Sequence, residues 1–139
     1  MKYIFSILIL SITTLSLHAQ TKIRPTKFEV VVAFASMGTG TSSDSFLKIF
    51  VKKFNKKNKV NIPAYKVSGC GREGEYNILF SLAKLKRSLT TKFTRELKSE
   101  IEKQVLKNKS NDQNSGDISL GYNKQLSDFG NCREEAVIW

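Results

Sequence analysis

Histidine is nearly missing from this chain. Of 139 residues only His18 carries an imidazole, and it lies in an apolar N-terminal stretch. Cysteine is scarce, with two residues, and so is proline, with two. Acids number 12 against 23 lysines and arginines, which leaves a net charge of +11. Long apolar runs are absent beyond Leu17. Each shortage excludes something. Without a further histidine there is no Ser-His or Cys-His machinery and no imidazole metal site outside the N-terminal stretch. Two isolated cysteines do not supply a metal site on their own, so neither metal nor cofactor is expected. Without a second apolar run, no later segment is long enough for a bilayer-spanning helix, which takes ~20 residues.

The N-terminal stretch has its own order. Lys2 supplies a positive charge, Tyr3 to Leu17 is uncharged and rich in Ile, Leu, Ser and Thr, and Leu17-His18-Ala19 places a small residue at a cleavage point. This is the pattern of a secretory signal peptide. Residues 1–19 are therefore expected to be removed, with Gln20 as the first mature residue and a secreted or periplasmic destination. His18 leaves with the signal. The remaining 120 residues, 20–139, suit a single domain with its own core. They hold 22 basic and 12 acidic residues, a net +10. A balance of this sign favours an anionic ligand, an envelope polyanion or an acidic protein partner. It also describes lysine-rich helix faces that merely keep a protein in solution. Few aromatics sit among the lysines, which argues against nucleic acid. In an oxidising compartment Cys70 and Cys132 are expected to form a disulfide.

Along the chain, Phe28 to Ala35 is short, β-branched and almost wholly apolar, as in a strand buried on both faces. A small-residue loop, Ser36 to Asp44, offers helix caps. Phe46, Ile49, Phe50 and Phe54 then recur at helical spacing among lysines, predicting a helix of about 14 residues with its basic end C-terminal. Ala64 to Ser68 reads as a second strand. After the glycine-rich Gly69 to Gly74, Tyr76, Ile78, Phe80 and Leu82 share one face of a third strand at period two. Ser88 or Thr90 opens a second helix with Leu89, Phe93, Leu97, Ile101 and Val105 as its stripe. A mobile loop is expected around 107–117 and a weak extra strand near Ile118 to Tyr122. Ala136 to Trp139 is read as the last strand.

The order strand, helix, strand, strand, helix, strand predicts an α+β fold. Its expected form is a ferredoxin-like split βαβ sandwich, with a four-stranded antiparallel sheet in the order 4-1-3-2 and two helices on one face. The other face, with Glu75, Asn77 and Ser81, is expected to meet solvent or a partner. The layout resembles that of acylphosphatases. The loop after the first strand carries no arginine, however, and the next strand no matching asparagine, so the resemblance implies fold alone.

In this arrangement strands one and two run the same way, so the loops that follow them emerge at one end, together with the chain before Cys132. There, Gly38, Thr39, Gly40, Thr41 and Ser42 lead into a helix N-terminus, whose free N–H groups form an anion site. Arg72 offers a planar contact to a carboxylate or phosphate, and Glu73, with Glu75, orients it or repels the anion. The glycines equally suit a simple turn, with Ser43 or Asp44 as a cap. No P-loop or dinucleotide fingerprint is complete. The expected function is an exported, non-catalytic module that binds an anionic ligand or protein partner through these loops. The alternatives are a small histidine-free hydrolase acting on a phosphorylated or acylated compound through Asp44, Glu73 or Glu75, and a structural or inhibitory domain using the open sheet face.

Overall fold

A computed structural model describes residues 25–38, 40–110 and 116–139. The expected signal peptide, Thr39 and residues 111–115 of the expected mobile loop lie outside the described residues. The elements are β1 (Lys27–Phe34), α1 (Ser45–Asn58), β2 (Ala64–Ser68), β3 (Tyr76–Phe80), α2 (Arg87–Ser110), β4 (Ile118–Gln125), a 3-10 turn (Leu126–Phe129) and β5 (Val137–Ile138).

The fold is α+β, with two helices and one antiparallel sheet. The sheet has five strands where four were expected, in the order β4-β1-β3-β2-β5. The weak alternation near Ile118 is a full strand paired along β1, from Phe34↔Ile118 to Lys27↔Gln125. The C-terminal apolar run contributes only the short β5, which pairs with β2 at the opposite edge. Two strands were thus needed where one was assigned. The most apolar strand, β1, sits between β3 and β4 as its burial demands.

One core lies between the sheet and the helices. It joins Val30, Val32, Phe34, Ile78, Phe80 and Ile118 of the sheet to Leu47, Val51 and Phe54 of α1 and to Phe93, Leu97 and Ile101 of α2. Aromatic rings bind the layers: Phe93 lies 5.1 Å from Phe54 and 5.4 Å from Phe80, both edge-on. Such pairs add about 0.5–1.5 kcal/mol beyond the burial of their area. The length of α1 matches expectation, 14 residues, but its rotation does not. Ile49 is 56% exposed, because at 3.6 residues per turn it stands about 200° from Leu47. Lys59, in the left-handed conformation (φ 52°), ends the helix.

The second sheet face corrects the expectation of an open, polar surface. Phe28, Val31, Tyr65, Val67, Leu79 and Ala136 form a second buried cluster there, with Leu126, Phe129 and both cysteines against it. The chain leaves β4 beside Lys27 and recrosses this face through residues 126–136. It reaches Gly69, whose carbonyl accepts the Arg133 N–H at 3.1 Å. Nothing local in the 126–136 sequence marks it as a cover, since its apolar residues are spaced for neither helix nor strand. Cys70 and Cys132 are joined in a disulfide at the end of this strap. Among the described residues no helix is long and apolar enough to cross a membrane.

Parts of the expected mobile loop around 107–117 are described. Residues 107–110 belong to α2. Gly116 and Asp117 are tied down by Ser42 Oγ, which donates to the Gly116 carbonyl at 2.9 Å, and by the Ala35 N–H, which donates to Asp117 O at 2.9 Å.

Candidate functional site

The segments after β1 and β2 and before β4 do meet at one end of the sheet, and backbone geometry brings them there. β1 and β2 are both antiparallel to β3 and therefore run the same way. The hydrogen bonds at this end are mutual. The N–H groups of Gly38 and Gly40 both donate to Ser36 Oγ, at 3.1 and 3.2 Å. The Ser36 hydroxyl in turn donates to the Glu73 carboxylate. Glu73 N–H donates to Glu75 Oε2 at 2.9 Å. The glycine-rich loop thus turns its donors inward, on a hydroxyl that already serves an anionic group of the chain itself.

Ser42 is buried and fully engaged. Its hydroxyl donates to Gly116 O and accepts from Asn108 Nδ2 at 3.2 Å, and its carbonyl accepts the Tyr76 hydroxyl at 2.8 Å. Gly116 fits only because it lacks a side chain: a Cβ there would fall 1.8 Å from the Ala35 carbonyl oxygen. Arg72 is exposed and ion-pairs with no described residue, so neither Glu73 nor Glu75 orients it. Thr41 is partly buried, and Thr39 lies outside the described residues.

At the start of α1, Asp44 occupies the N-cap position without a side-chain cap bond. Its carboxylate accepts the Trp139 indole N–H at 2.8 Å and lies 3.8 Å from Lys48 Nζ. A negative group of the chain therefore already stands at the positive end of this helix. The indole sits edge-on to Phe80 at 5.8 Å, and Lys48 lies over it at 5.6 Å.

This contact forms one wall of a feature that the sequence did not single out. An open groove of about 820 Å³ runs between α1 and the β2–β5 edge. Its apolar surface comes from Val51, Ile62, Ala64, Ile138 and Trp139, and Asn55 and Asn61 line it as well. Among the described residues three lysines, Lys48, Lys52 and Lys84, line it and no aspartate or glutamate does, although Asp44, which holds Trp139 and pairs with Lys48, stands next to this wall. Asn55 holds the floor: its Oδ1 accepts the Ile62 N–H at 3.3 Å and its carbonyl accepts the Val60 N–H at 3.1 Å. In sequence Lys48 and Lys52 read as part of the solvated face of α1, and Lys84, between β3 and α2, carries no signal of its own. The signal that was there was the chain's one tryptophan, following two aliphatic residues on a strand of marginal length.

Among the described residues no group of three or more His, Cys, Asp or Glu side chains is placed to hold a metal ion. Comparison with protein-family models, with curated proteins and with solved structures finds no match.

Proposed function

We propose that this chain is a non-catalytic module that binds an anionic ligand, and that the ligand lies in the groove between α1 and the β2–β5 edge. The observation that carries this reading is the groove's composition: among the described residues three lysines and no aspartate or glutamate line it, over an apolar floor beside the single tryptophan. Of these lysines Lys48 alone pairs with a carboxylate, Asp44. Clefts lined by charge of one sign concentrate ligands of the other. An exported setting is supported by the disulfide, which persists in oxidising compartments. The run from β1 to β4 supports a ferredoxin-like reading of the fold, with β5 as an added edge.

The converged loops serve this function less well. Their glycine donors point at Ser36, Ser42 is buried, and Glu73 places negative charge where an anion would sit. The carboxylates that a hydrolase would need are also committed, Asp44 to Trp139, Glu73 to Ser36 and Glu75 to a backbone N–H.

The test is a fluorescence titration of Trp139 with inorganic tripolyphosphate at low salt. Replacing Lys48, Lys52 and Lys84 together by Gln is expected to weaken binding about tenfold or more, whereas the same exchange at Lys98, Lys103 and Lys107 on α2 changes it less than about twofold. Equal losses in the two variants would mean that general charge, and not the groove, attracts the anion.

A further inference from the structure

The edge of the groove says more about the ligand than its charge does. Trp139 N–H donates to Ala64 O at 3.1 Å, and β5 is in register with β2 through Lys66↔Val137 and Tyr65↔Ile138. Hydrogen-bonded and non-hydrogen-bonded pairs alternate in an antiparallel ladder, so the N–H and C=O of Ile138 face away from β2. Among the described residues no further strand of this sheet lies beyond them. The side chains here are aliphatic and solvent-facing, with Val137 56% and Ile138 67% exposed.

We infer that the groove's occupant is an extended acidic peptide segment of a partner protein, which pairs through its backbone with the outer edge of β5 and sets carboxylates against Lys48, Lys52 and Lys84. The inference rests on the groove being the anion site proposed above. Outward backbone donors and acceptors next to exposed β-branched residues are what strand addition uses, with side-chain contacts supplying the selection. Charge complementarity decides among extended partners. A second copy of this chain would set its own Lys48, Lys52 and Lys84 against the same lysines, and charged edges oppose self-pairing. An acidic glycan would leave the aliphatic edge and its backbone groups unused. An anionic lipid surface would leave those backbone groups without partners.

The probe is a nine-residue peptide alternating Glu and Val, blocked at both ends, titrated into the oxidised protein with Trp139 emission as the readout. The comparison peptide has the same sequence with every second backbone nitrogen methylated, so that it keeps its charge and loses its strand donors. Ile138→Pro removes the outward N–H from the protein side and leaves the bonds to β2 in place.

The expected result is saturable binding of the unmethylated peptide, about tenfold tighter than its methylated form, with that advantage lost in Ile138→Pro. Equal binding of the two peptides would overturn the strand-addition inference while tripolyphosphate still reports on the groove lysines. The methylated peptide carries this comparison even if the proline variant fails to fold. Tighter binding of a hyaluronate hexasaccharide or of phosphatidylglycerol vesicles would assign the groove to those ligands instead. A dimer in sedimentation that Ile138→Pro disperses would assign the edge to self-association. Silence of Trp139 toward every probe would remove the groove reading and this inference together.

Discussion

Tyr76 shows how much of this molecule hangs on single side chains. Its ring stacks on Phe34 at 4.6 Å, Lys66 Nζ lies 3.8 Å from its centroid, and its hydroxyl donates to Ser42 O. Burial first, and then the neighbouring Asp44 carboxylate, push the phenol well above its ordinary value, which is about 10. The folded chain therefore holds this proton more tightly than the unfolded chain. The stability this contributes is complete below about pH 10 and is lost as pH rises beyond it. In Tyr76→Phe, urea unfolding should show a loss of about 1 kcal/mol at neutral pH from the missing hydrogen bond. The variant should also fall less steeply than the parent between about pH 10 and 11. That Tyr76 points into the core was legible from its period-two spacing with Ile78 and Phe80. The role of Ser42 was not, because its partner Gly116 lies 74 positions away, and a loop serine looks the same in sequence whether it caps, binds or is buried.

Among the elements, α1 divides what was legible from what was not. Its extent follows from the apolar spacing and from a loop rich in caps. Its rotation differs from the apolar spacing at Ile49, which is exposed, while Phe46 and Phe50 pack at the rim of the core and Leu47 and Val51 fill its centre. The buried arc is Leu47, Val51 and Phe54, and Phe50 reaches sideways to Phe93 of α2 at 5.5 Å. Leu47→Ala should therefore cost about 2–5 kcal/mol in denaturant unfolding, as core truncations do. Ile49→Lys should stay within about 0.5 kcal/mol of the parent, as an exposed substitution does. The opposite ranking would mean that the helix packs in the other phase. The β2–β3 hairpin was legible because turn residues bound it on both sides. β4 was obscured by Gly121 and Asn123, which are poor strand formers. Five of its eight residues are exposed, so apolar alternation is required of it only near Ile118 and Leu120.

For the molecule as a whole, the two sheet faces are held by different means. The helix face has a broad core of its own. The other face depends on the 126–136 strap, which the disulfide fastens across a separation of 62 residues. On the loop-closure model such a crosslink contributes ~4 kcal/mol. Replacing both cysteines by serine should lower stability by roughly that amount in urea unfolding, and amide exchange should accelerate first in the strap and β5, with α1 and α2 affected least. Uniform acceleration would show that the strap does not open on its own. The pairing of the cysteines was legible from their number and the expected compartment, whereas the strap was not, because its apolar residues gain their meaning only from a face built by strands far away in sequence. The placement of β1 has a temporal consequence as well. It is the earliest of the described strands, yet one of its partners is β4 at residues 118–125. Such distant pairing carries a high contact order and slows folding. A chain made N-terminus first cannot close the β1–β4 side of its sheet until residues 118–125 have emerged, so the edge of β1 stays unpaired through most of the synthesis that separates the two strands.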